Sequence, residues 1–225
     1  MSFWDTVAQE QERIYDLRCL PSKWVHLASA QAITIYLLLL TSNRDNVLQH
    51  HPNLPITLLF TLRTNFEHLH RMLSGYTAPT KQPRCRQTWE DWVFAESKLR
   101  TATVYFILAS CYDVDYGLPC DRDIDHKFGE IELPATKSLW EATDEVSWNK
   151  VRDLAIPAQG RAHPVESSET RLNYTNLVEL NKLHGGPECR ATMKCDSGLE
   201  SKVQTWYKKM DELGMLVSLC SVMGD

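Results

Sequence analysis

Residues 88–101 read TWEDWVFAESKLRT and open the long helical pattern around which the rest of the chain is organised. Trp89, Trp92 and Glu96 follow one another at intervals of three and four residues, which places them on one face of an α-helix. Apolar residues continue at helical spacing for several further turns. The pattern predicts one Trp-anchored helix over residues 88–116.

Capping residues predict where the other helices begin. Ser, Thr and Asp side chains accept hydrogen bonds from the unpaired N–H groups of a first helical turn, and Pro is tolerated within that turn. Such residues precede apolar helical patterns at Ser2, Ser22, Pro55, Thr88, Ala135 or Thr136, and Asp144. Further helices are predicted over about 169–184 and, as one continuous helix, over 200–223.

Strands are not predicted, because no stretch alternates apolar and polar residues over more than a few positions. The chain is therefore predicted to be all-α, a multi-helix orthogonal bundle that forms a single domain over residues 1–225. The segment 76–87 contains two prolines and several charges, and it is the one place where a seam between subdomains is predicted.

Charge and cysteine usage exclude several classes of protein. The chain of 225 residues has a formal net charge of -5, which opposes non-specific binding to nucleic acid. Its seven cysteines are irregularly spaced and form no C-x-x-C pair, which is typical of reduced thiols in a cytosolic or nuclear protein. The first residues have neither the basic region nor the apolar run of a signal peptide.

The most apolar stretch, Ala32–Leu40, is interpreted as part of a buried core helix. Its length is about half of the roughly 20 residues that a membrane span requires. We therefore expect no association with a membrane.

Glu96 and Arg100 are predicted to form an ion pair on the long helix. They are four residues apart with Glu on the N-terminal side, the orientation that stabilises an exposed helix by about 0.2–0.5 kcal/mol. A catalytic role would require a partner His or a further carboxylate, and the neighbouring sequence contains none in suitable register. The pair and the tryptophans are interpreted as a structural skeleton, with no catalytic residue and no cofactor predicted.

The same segment resembles a known family. The pattern W-x-x-W-x-x-x-E-S-x-x-R resembles the signature of the fungal-specific transcription factor domain, the helical middle homology region of zinc-cluster and C2H2 factors. Later residues follow in the expected order, and the resemblance covers residues 85–155. Leu99 stands where the family often has a second Arg, and Ala135 stands where Cys is common. The structural motif assigned by resemblance comprises Trp89, Trp92, Glu96, Arg100, Leu133, Pro134, Trp140 and Trp148.

The resemblance implies a transcription regulator located in the nucleus, or alternatively in the cytoplasm, that controls a fungal pathway of the secondary-metabolite type. Such a domain acts through a protein partner or a small apolar effector. No six-cysteine cluster and no C2H2 spacing can be assembled, so direct DNA binding by this chain is not expected. The chain is then a regulatory half, a fragment, a truncated gene product or a relative put to another use.

Two other functions stay open on the sequence. One is a repurposed helical enzyme or ligand-binding protein that acts on a hydrophobic small molecule, although no catalytic motif favours an enzyme. The other is an interaction scaffold that forms a homodimer.

An acidic stretch partly matches the pattern of a metal site. Asp121, Asp123, Asp125 and Glu132 occupy positions 1, 3, 5 and 12 of a calcium-binding loop. The glycine required at position 6 is replaced by His126. The pattern therefore favours a solvated acidic loop over a metal site.

Overall fold

The computed structural model describes residues 2–17, 20, 22–74, 88–111, 131–155, 172–185 and 197–223. The regular elements in these ranges are all α-helices, and Glu132 and Asn173 add an isolated antiparallel bridge. The prediction of an all-α multi-helix architecture is confirmed. The chain divides into two compact units, Met1–Gln82 and Pro83–Asp225, and the division falls inside the segment 76–87.

In its described residues the first unit contains four helices: α1 (Phe3–Asp16), α2 (Lys23–Ser42), α3 (Arg44–His50) and α4 (Leu54–Ser74). Helix α2 packs along α4, and α1 packs against both of them. The predicted start at Ser2 is confirmed as a capping box. The Ser2 hydroxyl accepts a hydrogen bond from the Asp5 backbone N–H at 3.1 Å, and the Asp5 carboxylate accepts one from the Ser2 N–H.

Helix α2 is longer than the apolar stretch Ala32–Leu40, because it begins at Lys23 after the Ser22 cap. Among the described residues it is the one helix whose length and composition would suffice to cross a membrane, although less than half of it is buried. A core helix of a soluble protein passes the same test. Its inner face joins the core through Leu27, Ala30, Ile33, Leu37 and Leu40.

The second unit contains six helices in its described residues: α5 (Trp89–Cys111), α6 (Lys137–Trp140), α7 (Glu145–Ala155), α8 (Tyr174–Gly185), α9 (Ser197–Tyr207) and α10 (Glu212–Met223). Helix α10 contacts α5 and α8, α9 contacts α8, and α6 contacts α7. An apolar core cluster holds α8, α9, α10 and the residues before α6 together. Its buried members are Leu133, Leu177, Leu180, Val203, Trp206 and Val217.

The prediction of one continuous helix over 200–223 is wrong. The chain leaves the helix after Tyr207 and enters a new one at Glu212. Asp211 caps this second helix, because its carboxylate accepts a hydrogen bond from the Gly214 N–H at 3.0 Å. The absence of a side chain at Gly214 permits the tight turn, since a Cβ atom there would lie 2.7 Å from the Met210 Cβ. The apolar spacing did not reveal the break because both helices bury residues in the same core.

Candidate functional site at the Arg100 network

The Glu96–Arg100 pair lies on α5 and is buried. The Arg100 Nε–H donates a hydrogen bond to Glu96 Oε1 at 2.9 Å, and the two side chains are only 11% and 6% exposed. Helix α5 begins where the sequence predicts, since the Thr88 hydroxyl accepts a hydrogen bond from the Asp91 N–H at 3.1 Å. The small energy of an exposed helical pair does not apply here. For a buried pair, removing one partner leaves an uncompensated charge in the interior.

Asp211 is a second carboxylate on the same guanidinium group. Arg100 Nη2 lies 2.6 Å from Asp211 Oδ2, and the Asp211 side chain is 7% exposed. The other oxygen of Asp211 is the one that caps α10, so this residue ties α5 to the start of α10. Asp211 is not among the residues predicted from the sequence. An Asp is a typical residue at a helix start, but no start was predicted here because 200–223 was expected to be one continuous helix.

The extended segment that leads into α6 is bound to the same network through its backbone. The Ala135 N–H donates to Glu96 Oε1 at 2.9 Å, and Arg100 Nη2 donates to the Ala135 carbonyl at 3.3 Å. Next to it, the indole N–H of Trp206 donates to the Pro134 carbonyl at 2.9 Å. Both hydrogen bonds at Ala135 use only its backbone atoms. They therefore do not depend on whether the residue is Ala, as here, or Cys, as is common in the family.

Aromatic rings cover one side of the network. The Arg100 guanidinium lies over the Trp140 ring, 4.2 Å from its centroid, in a cation–π contact. The Trp92 ring lies 6.5 Å from that of Trp140 and 5.7 Å from that of Trp148. Trp92 and Trp148 are buried, and Arg152 lies over Trp148 on α7 at 4.4 Å. The cluster therefore joins α5, α6 and α7.

The structure thus brings together five of the eight predicted motif residues: Trp92, Glu96, Arg100, Trp140 and Trp148. Leu133 belongs instead to the apolar core cluster with Trp206, and the Pro134 carbonyl accepts the hydrogen bond of the same Trp206. Trp89 lies one turn before Trp92 on α5 and is half-buried. The buried indole N–H groups of Trp89 and Trp148 have no hydrogen-bond acceptor in the described structure, so these rings contribute through packing.

A pair of exposed charges lies on α6 and α10, beside the network. Lys137 Nζ donates to Glu212 Oε1 at 3.2 Å, and this hydrogen bond raises the pKa of Lys137. The pKa of Glu212 is lowered, first by its own backbone N–H at the start of α10 and then by Lys137. Water and salt screen such exposed charges, so this pair adds little to stability.

The network is suited to holding elements together. The two carboxylates that face Arg100 are buried and already accept hydrogen bonds. General acid–base chemistry requires a group that can reach a substrate. Glu96 and Asp211 are instead held against Arg100.

The acidic stretch weighed as a calcium site falls mostly outside the described residues. Asp121, Asp123 and Asp125 belong to the range 112–130, and only Glu132 is described, where it forms the bridge with Asn173. Within the part of the chain that the structure describes, no group of three or more His, Cys, Asp or Glu side chains is placed to hold a metal ion.

Comparisons with family models, with curated proteins and with solved structures returned no significant match for this chain. The resemblance to the fungal-specific transcription factor domain therefore stays a prediction that rests on the motif residues.

Proposed function

We propose that this chain is a regulatory helical domain of the transcription-factor type without a DNA-binding module of its own. It would act in the nucleus on a fungal pathway of the secondary-metabolite type, through a protein partner or a small apolar effector. The observation that supports the proposal is the convergence of five motif residues, from three helices, on one network around Arg100.

The network also suggests how such a domain would work. One guanidinium joins α5, α6 and the start of α10, so its charges are satisfied in a single arrangement of these elements. Breaking such a buried pair costs about 3–5 kcal/mol. A partner or effector would therefore bind a preformed body.

The enzyme alternative finds less support in the same residues. An active site needs exposed groups that can touch a substrate, whereas Glu96 and Asp211 are buried and paired with Arg100. The network is accordingly assigned a structural role within a regulatory domain.

A reporter assay tests the proposal. The full chain is inserted between a heterologous DNA-binding domain and an activation domain, and reporter output in a fungal host is compared with the fusion that lacks the chain. A regulatory domain changes the output, and Arg100→Met removes that change. Arg63→Met is the matched control, because Arg63 forms an exposed pair with Glu67 at the same helical spacing. Equal reporter output with and without the chain, at equal amounts of the two fusion proteins, would contradict the proposal.

A further inference from the structure

The outer side of α2 carries an uncharged stripe along the entire helix. Its exposed positions follow one another at alternating intervals of four and three residues: Trp24, Ala28, Gln31, Ile35, Leu38 and Ser42. Leu39 extends the stripe, and its large members Trp24, Ile35, Leu38 and Leu39 are 38–53% exposed. Lys23, at the first position, is the only Lys, Arg, Asp or Glu of α2.

The opposite side of α2 already forms the core of the first unit against α4. The helix is therefore apolar on both sides, whereas a helix at the surface of a monomer normally presents charged residues to water. Side chains at intervals of four and three form a ridge along the helix, and such a ridge can pack into the groove of a facing helix. A second helix is therefore a suitable neighbour for this side of α2.

We propose that this neighbour is α2 of a second copy, packed antiparallel across a two-fold axis near Ile33. In a two-fold interface residue i contacts residue j and residue j contacts residue i. Antiparallel pairing places Trp24 opposite Ser42, Ala28 opposite Leu38, and Gln31 opposite Ile35 of the partner subunit. Every layer then combines a larger with a smaller side chain, which is how helices fill a shared seam.

Charge supports the same arrangement. A stripe without charged side chains meets its own copy without repulsion between like charges. Antiparallel packing places the two Lys23 side chains at opposite ends of a helix about 30 Å long, well beyond the screening distance of about 8 Å at physiological salt. Parallel packing would place the two Lys23 side chains, the two Trp24 rings and the two Ala28 methyl groups against each other.

A lipid surface fits the stripe less well. Helices that lie in a membrane interface have a strongly charged opposite face that is rich in Lys and Arg. The opposite face of α2 is the apolar core, and the chain has a net charge of -5, which anionic lipids repel.

Sedimentation velocity of the full chain at about 1–100 µM tests the dimer. We expect a species of twice the 25.9 kDa chain mass at the upper end of this range. Leu38→Lys should raise the dissociation constant about tenfold or more, because it inserts a charge into each end of the seam. Leu219→Lys places the same charge on an exposed apolar residue of α10 and should leave the constant unchanged.

A compensating substitution tests the antiparallel register. Ala28→Glu alone should also weaken the dimer, whereas the double variant Ala28→Glu with Leu38→Lys should recover it. In the antiparallel seam each introduced Glu faces the introduced Lys of the other copy. Both sites are exposed, and far-UV circular dichroism checks that each variant keeps its helical content.

Three outcomes overturn the proposal: a wild-type chain that stays monomeric throughout the range, a Leu38→Lys variant that dimerises like wild type, or a double variant without recovery. Co-sedimentation of a monomeric wild type with vesicles of anionic phospholipid would assign the stripe to lipid instead. The dimer does not depend on the proposed regulatory function, because the reporter assay and its network variant concern the second unit.

Discussion

Two Arg–Glu pairs at the same helical spacing occupy very different surroundings. Arg63 and Glu67 on α4 pair at 3.0 Å with side chains that are 58% and 53% exposed. Glu96 and Arg100 on α5 pair at 2.9 Å, but their side chains are only 6% and 11% exposed and Arg100 also contacts Asp211. In the sequence both pairs are four residues apart, although Arg precedes Glu in the first pair and follows it in the second. The difference teaches that burial and additional partners, rather than spacing, decide the energetic weight of an ion pair.

The largest effect is expected from removing the shared cation. Arg100→Met leaves two buried carboxylates without their counterion, so the free energy of unfolding should fall by about 3–5 kcal/mol. Urea unfolding followed by tryptophan fluorescence measures this, since five of the seven tryptophans belong to the second unit. A loss below about 1 kcal/mol would place Arg100 in the same category as an exposed pair.

A smaller loss is expected at Asp211, where two substitutions separate its two roles. Asp211→Ala removes the cap of α10 and one partner of Arg100, and should cost about 2–4 kcal/mol. Asp211→Asn keeps an oxygen that can accept the hydrogen bond of the Gly214 N–H. This variant should therefore retain the cap's share of the free energy of unfolding and lose only the ion pair with Arg100. If both variants unfold at the same urea concentration, the cap contributes nothing.

A single hydrogen bond beside the network can be removed at Trp206. Trp206→Phe deletes the N–H that donates to the Pro134 carbonyl and leaves that buried acceptor unsatisfied, and it also shortens a buried ring. We expect a loss of about 1–3 kcal/mol in the free energy of unfolding. Thermal unfolding measures the loss, and a variant that unfolds at the wild-type temperature would contradict it.

The smallest effect is expected at the exposed pair. Arg63→Met should change the free energy of unfolding by less than about 0.5 kcal/mol, because solvent screens Arg63 and Glu67. The change should shrink further in high salt. A loss comparable to that of Arg100→Met would remove the contrast between the two pairs.

Local signals in the sequence predicted most of the helix starts. Ser2, Thr88 and Asp144 each accept a hydrogen bond from a backbone N–H three residues later, as their residue types indicate. Such bonds form within one turn, so a short window of sequence contains everything that determines them. The end of the long helix, predicted near residue 116, falls outside the described residues, which extend to Cys111 in that region.

Features that depend on residues distant in the chain could not be predicted from a short window of sequence. The break between α9 and α10 was missed because the apolar period runs through it without interruption. The contact between Arg100 and Asp211 joins residues far apart in the chain, and no pattern in the sequence near Arg100 predicts a second carboxylate partner. The candidate site could therefore be predicted as a set of motif residues on α5, but its partners from the end of the chain could not.

The sequence by itself determined the all-α class, most helix starts and the ion pair within α5, because hydrogen bonds and side-chain pairs inside a helix span only a few residues. Only the tertiary structure decided that Glu96 and Arg100 are largely removed from solvent, that Asp211 joins them, that the Ala135 backbone is held between them and that one side of α2 is exposed. Burial and long-range Coulomb contacts arise when distant segments pack together, and that packing is a property of the whole fold.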